Sequence, residues 1–293
     1  MLRFLKLTLL LSLAPALGAE SEIDLQPDDS FAFKTVGDIE LKLHVFYPEE
    51  HRQGDKRPAI VFFFGGGWRK GSPDQFYPHC EYLASRGMVA IAPEYRVSER
   101  HGTTPQECVA DGKSAMRWVR QHASELGLDP QRIAAGGGSA GGHVATATAI
   151  IDDFNEPGEP LFASSRPDAL VLFNPVFDNG PDGYGYERVK GYWERFSPLH
   201  NINQTIPPTL VLLGTHDKLI PVETAELFKE ETERHGQRCD LHLYAGQEHG
   251  FFNYRHTTYY TMTVVEMDRF LASLGYLEGE PSLHVTIDPA SER

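Results

Sequence analysis

Cysteine is scarce in this sequence: Cys80, Cys108 and Cys239 are the only three among 293 residues, and no two of them form a C-x-x-C pair. That shortage argues against a thiol catalyst or a zinc site, and the odd number leaves the pairing of any disulfide open. No group of His, Cys and Asp has the spacing of metal ligands, so neither a catalytic metal nor a cofactor is expected. Positive charge is also in short supply. Lys and Arg number 27 against 41 Asp and Glu, a formal charge of −14, which argues against nucleic acid or an anionic membrane as partner. The apolar run Leu7 to Leu13 is too short to span a bilayer, so no membrane anchor is expected.

That same run carries a different signal. A short basic start (Met1 to Lys6) precedes it and the small residues of Ala14-Pro15-Ala16-Leu17-Gly18-Ala19 follow it. Charge, apolar core and small-residue cleavage zone in that order predict a secretory signal over residues 1–19 and an exported protein.

Downstream, Ser30–Val36 and Glu40–Tyr47 alternate β-branched and aromatic residues with polar ones around Gly37-Asp38, and predict a hairpin. The pattern then changes. Pro58–Phe64 (PAIVFFF) is nearly unbroken apolar sequence, as expected of a parallel strand covered on both faces. Further strands are predicted at Val89–Pro93, Arg132–Gly136, Asp168–Phe173, Thr209–Leu213 and Asp240–Tyr244. Helices are predicted at Gln75–Arg86, Thr104–Glu125, Ser139–Ile151, Glu223–His235 and Thr257–Leu274. Strands alternating with helices imply βαβ units, hence one α/β domain over residues 20–276 with about eight mostly parallel strands and helices on both faces. A polar tail, expected to be mobile, follows at 277–293.

The stretch Gly136-Gly137-Gly138-Ser139-Ala140-Gly141 fits two patterns. As G-x-G-x-x-G it would be a dinucleotide loop. That reading needs an acidic residue closing the next strand, about twenty residues on. Asp152-Asp153-Phe154-Asn155-Glu156-Pro157 stands there instead, a polar loop with a proline. As G-x-S-x-G it is a strained turn that presents Ser139 between strand and helix, with small neighbours because the backbone folds tightly on itself. This reading requires an acid and then a histidine at later strand ends. Asp217, in Gly214-Thr215-His216-Asp217, and His249, in Gly246-Gln247-Glu248-His249-Gly250, meet that requirement. Adjacent parallel strands bring such loops together, so Ser139, Asp217 and His249 are the predicted nucleophile, acid and base. Backbone N–H groups of Gly66, Gly67 and Ala140 are the predicted oxyanion donors, since Gly65-Gly66-Gly67 leaves no side chain in the way. Rival residues are weaker: His216 leaves its strand too early to serve as base, His256 is a remote second choice, and Glu223 could replace Asp217 only if its helix turned inward. His143 is expected to pack or be solvated, and Asp111 to be structural near Tyr95-Arg96.

Together with Ala92-Pro93-Glu94-Tyr95-Arg96 and Glu248-His249-Gly250-Phe251-Phe252, these motifs resemble the α/β-hydrolases. Within that superfamily the chain is similar to the esterases and lipases related to hormone-sensitive lipase and to the carbohydrate-ester esterases. The resemblance implies a serine esterase acting through an acyl-enzyme. It departs at Phe64, where the family usually carries a histidine that pins the glycine loop by hydrogen bonding.

Residues 175–206 form the longest insertion and contain Tyr184, Tyr186, Tyr192, Trp193 and Phe196. They form either an aromatic platform beside Ser139 or a packing layer under the loop. Trp68, Tyr184, Tyr186 and Trp193 are the candidate substrate contacts. A small or oligosaccharide ester is the expected partner, with short acyl groups favoured because no amphipathic helical cap is evident. A prolyl-oligopeptidase-type serine peptidase shares the triad order, and a non-catalytic binding protein on the same fold is the other alternative.

Overall fold

The computed structural model describes residues 25–284, so the expected signal at 1–19 and residues 285–293 of the tail lie outside the described residues. The strands are β1 (Asp29–Val36), β2 (Ile39–Phe46), β3 (Arg57–Phe63), β4 (Val89–Pro93), β5 (Leu128–Gly138), β6 (Leu170–Phe173), β7 (Thr209–Gly214) and β8 (Cys239–Tyr244). The helices are α1 (Tyr77–Ser85), α2 (Ser98–His101), α3 (Pro105–Gln121), α4 (Ala140–Ile150), α5 (Tyr186–Val189), α6 (Trp193–Phe196), α7 (Val222–Arg234) and α8 (Thr257–Ser273). The strands form one sheet in the order β1-β2-β4-β3-β5-β6-β7-β8. The β1–β2 and β2–β4 pairs are antiparallel and every other neighbouring pair is parallel. This is the α/β-hydrolase arrangement.

Burial follows position in the sheet. Six consecutive residues of β3, Pro58 to Phe63, are buried. Successive side chains of a strand point to opposite faces, so helices must cover both. Edge strand β1 alternates exposed and partly buried residues around the hairpin at Gly37. Two boundaries differ from expectation for local reasons. α1 starts at Tyr77 because Pro78 has no N–H and fits only a first turn; a 3₁₀ turn at Pro73–Phe76 precedes it. β5 begins four residues before the predicted Arg132, where Leu128 pairs with Arg57 across a register shift.

Two polar anchors hold loops that bear on the site. Asp111 on α3 is fully buried and accepts from Arg96 N–H (2.8 Å), Arg96 Nη2 (2.7 Å) and Lys34 Nζ (2.6 Å), the structural role expected of it. Arg86 docks the start of the polar tail by donating to the carbonyls of Glu278 (3.0 Å) and Gly279 (3.2 Å). Leu277 is buried, so the chain is held at the point where the tail leaves the body.

Candidate active site

Ser139 stands between β5 and α4 with φ 55° and ψ −120°. A non-glycine residue with positive φ costs on the order of 1–3 kcal/mol and persists only where its surroundings over-determine it. Here three backbone hydrogen bonds do so. Ser139 N–H donates to Phe173 (2.9 Å), while its carbonyl accepts from His143 (3.1 Å) and Val176 (3.2 Å). The turn is closed so tightly that a Cβ on Gly141 would lie 2.0 Å from the Phe63 carbonyl oxygen. Glycine is obligatory there.

Loops after β7 and β8 bring the partners. His249 Nε2 lies 2.9 Å from Ser139 Oγ, and His249 Nδ1 lies 2.7 Å from Asp217 Oδ2. A carboxylate can only accept, so Nδ1 carries the proton and Nε2 is free to accept from the serine hydroxyl. Asp217 is itself held by the N–H groups of Leu219 (2.8 Å) and Ile220 (3.0 Å), both on Oδ1, and its side chain is fully buried. No hydrogen bond among the described residues joins His216, His256 or Glu223 to Ser139. His143 is buried under Trp68 and Phe196, and burial holds it down at about 3, a neutral packing residue.

Four contributors escaped the sequence reading. Asn174, just past β6, sits between the serine and histidine loops; its Oδ1 accepts Gly250 N–H at 2.9 Å. Gln75 accepts Gly65 N–H through Oε1 (2.6 Å) and donates through Nε2 to Asn253 Oδ1 (2.9 Å). Asn253 in turn donates to the Gly250 carbonyl (2.6 Å), so one chain of side-chain amides ties the glycine loop to the histidine loop. The fourth is Tyr95, whose ring stacks on Phe64 at 4.0 Å and whose hydroxyl donates to the Phe64 carbonyl at 2.5 Å. Gln75 and Tyr95 thus pin the loop without the histidine that Phe64 replaces. An isolated glutamine 10 positions past the loop gives no sequence signal of this role.

The predicted oxyanion donors point to no other duty. Among the described residues no acceptor takes up the N–H of Gly66, Gly67 or Ala140. Gly66 has φ +114°, and a Cβ there would come within 2.1 Å of the Lys70 carbonyl oxygen. Arg188 Nη1 donates to the Gly67 carbonyl at 2.9 Å and so holds the next peptide of the loop in place.

Above Ser139 opens a cleft of about 360 Å³ lined by Tyr184, Asn174, Leu219, His249, Phe252 and the glycine loop, among others. Three of the four candidate substrate contacts are not among its lining residues. Trp68, at φ +60°, is only 1% exposed and packs edge-on to His143. Tyr186 and Trp193 sit on the short helices α5 and α6 and face each other at 6.5 Å, while Trp193 also meets His200 at 5.0 Å. Tyr184 alone of the four reaches the cleft. The insertion's aromatics chiefly pack the loop onto the body.

Residues 43–172 match the BD-FAE family model, and residues 184–269 match that of the dienelactone hydrolase family. The structure is similar to that of esterase 2 from Thermogutta terrifontis in its apo form, with a TM-score of 0.84 and 44% identity over 88% of this chain and 98% of that one. A probable carboxylic ester hydrolase, LipM, from Mycobacterium tuberculosis is 32% identical over 59% of this chain and 44% of its own length. An acetylxylan esterase from Xylanibacter ruminicola is 24% identical over 77% of this chain and 47% of its length. The chain thus spans about half the length of these two curated relatives.

Proposed function

The chain belongs to the esterases of the α/β-hydrolase fold, and we propose that it is an exported serine esterase that hydrolyses short-chain or carbohydrate-linked carboxylic esters. The observation that carries this reading is the hydrogen-bonded series Asp217–His249–Ser139 at the floor of the cleft. A serine hydroxyl is a weak nucleophile on its own and needs a base in hydrogen-bond reach. His249 takes the Ser139 proton as Oγ attacks the ester carbonyl, and Asp217 stabilises the imidazolium that forms. The N–H groups of Gly66, Gly67 and Ala140 receive the negative charge on the tetrahedral oxygen, each worth about 2.7–4 kcal/mol in such sites. The C–O bond to the alcohol then breaks, and His249 returns its proton to the departing alcohol. Water, deprotonated by His249, attacks the acyl-Ser139 ester and releases the acid.

Short acyl groups are supported by the propionate- and butyrate-bound structures of Thermogutta terrifontis esterase 2. A carbohydrate alcohol is supported by the likeness to the acetylxylan esterase. Export rests on the N-terminal sequence pattern. A prolyl-oligopeptidase-type reading is not favoured by any of the relatives above, which are esterases. Labelling by a fluorophosphonate probe tests the mechanism: wild type labels and Ser139→Ala does not, whereas equal labelling of both removes Ser139 as nucleophile. Comparing acetylated xylan oligomers with p-nitrophenyl acetate tests the alcohol; turnover of the artificial ester alone removes the carbohydrate reading.

A further inference from the structure

The cleft differs in charge from the rest of the molecule. The chain has a formal charge of −14, yet Arg69, Lys70, Arg188 and Arg255 line this cleft against a single carboxylate, Glu99. Glu99 is taken by Arg69, at 2.8 Å. Among the described residues no carboxylate lies within ion-pair distance of Lys70, Arg188 or Arg255. Elsewhere most cations are paired, as Arg86 is with Asp268 and Arg96 with Asp111. Three cations without a carboxylate partner among the described residues therefore share the cleft with Ser139.

The three cations reach the cleft that holds Ser139 from three separate segments. Lys70 closes the turn of the glycine loop, its N–H on the Gly66 carbonyl. Arg188 is oriented by the Gly67 carbonyl and lies 5.5 Å from the Tyr184 ring centroid, leaving its other N–H groups without an acceptor among the described residues. Arg255 follows Asn253 on the histidine loop, and its Nε contacts only the neighbouring His256 Nε2 at 3.2 Å. Like charges brought together without counterions repel one another, and a cleft lined by one sign concentrates ligands of the other. A guanidinium held by one nitrogen still offers a planar pair of donors to a carboxylate.

We propose that the cleft selects carboxylic esters that carry a negative charge of their own, with Lys70, Arg188 and Arg255 as the groups that recognise it. The charge is a carboxylate on the acyl chain or on the alcohol. This rests on the esterase reading above.

Two matched pairs test it. Monoethyl succinate against its neutral isostere ethyl succinamate places the carboxylate on the acyl side. Acetoxybenzoate against acetoxybenzamide, both para-substituted, places it on the leaving group. At about 10 mM salt, where the Debye length is about 30 Å, the charged member of at least one pair is expected to have a kcat/KM about tenfold the higher. That ratio shrinks towards unity at about 1 M salt, where the Debye length is about 3 Å. The Lys70→Gln/Arg255→Gln double variant lowers the ratio at low salt, and Lys56→Gln, an exposed lysine away from the cleft, leaves it as in wild type. Equal hydrolysis of both members in both pairs overturns the proposal and leaves the esterase reading intact, as does a preference that the double variant retains. Hydrolysis of no member of either pair removes the esterase reading and the proposal with it.

Discussion

Ser139, at the floor of the cleft, and Arg188, at its mouth, are positioned by different kinds of structure. Ser139 is placed by the sheet: β5 delivers it, the β6 end accepts its N–H, and the loops after β7 and β8 supply its partners. Arg188 sits on a four-residue helix within an insertion and is steered by one carbonyl and one ring. The floor is over-determined by backbone hydrogen bonds, so its geometry follows from the fold. The mouth depends on a few long side chains that no ladder constrains. In the proposed esterase, bond-making chemistry therefore belongs to the scaffold, and selection among esters to the loops.

The sharpest break of that contrast comes from Asp217→Asn. The substituted side chain would still fill the space, but its amide favours the wrong imidazole tautomer, and kcat is expected to fall about 10⁴-fold with KM little changed in steady-state assays. Gln75→Ala comes next. It severs the link between Gly65 and Asn253, so the oxyanion donors lose their aim, and kcat is expected to drop about 10- to 100-fold. A rise in KM with kcat intact would instead place Gln75 among the substrate contacts.

The support beneath the floor can be tested through pH. His79 is fully buried among Phe62, Phe76, Phe173, Phe252 and Tyr260, and burial without a hydrogen-bond partner pushes it down to about 3. His143 is likewise held at about 3 by burial, against the Phe196 carbonyl that accepts from it. In the unfolded chain both titrate near about 6.5. The folded form stays neutral while the unfolded form takes up protons, so stability is fully present above about pH 6.5 and is lost as pH falls towards 3. Each histidine contributes about 1.4 kcal/mol per pH unit within that window. Urea denaturation between pH 6.5 and 5 reads the slope, and His79→Leu is expected to roughly halve these two residues' combined share of it.

At the mouth the effects shrink. Tyr186→Ala and Trp193→Ala are each expected to change kcat/KM on p-nitrophenyl acetate by less than about twofold, since neither lines the cleft and so neither touches the transition state. A tenfold loss from either would restore the aromatic platform.

The primary structure carried the sheet and the proposed catalytic constellation because both leave local marks. A buried parallel strand must be apolar on both faces, as Pro58 to Phe63 is, and an elbow must have small neighbours, as Ser139 has in Gly137, Ala140 and Gly141. Order along the chain then named Asp217 and His249. Other features have no such mark. Trp68 reads as a pocket residue because it follows the glycine loop, but it is buried against His143 and Phe196. Gln75, Asn174 and Asn253 are ordinary amides until the fold sets them within 2.6–2.9 Å of their partners. The same holds for Lys70, Arg188 and Arg255, far apart in sequence and gathered at one opening. Sequence alone determined the sheet and the residues of the proposed chemistry, because backbone sterics and burial restrict residue type locally. Which side chains clamp the loops and charge the entrance was decided only by tertiary structure, because those contacts join segments up to 178 positions apart that share no pattern.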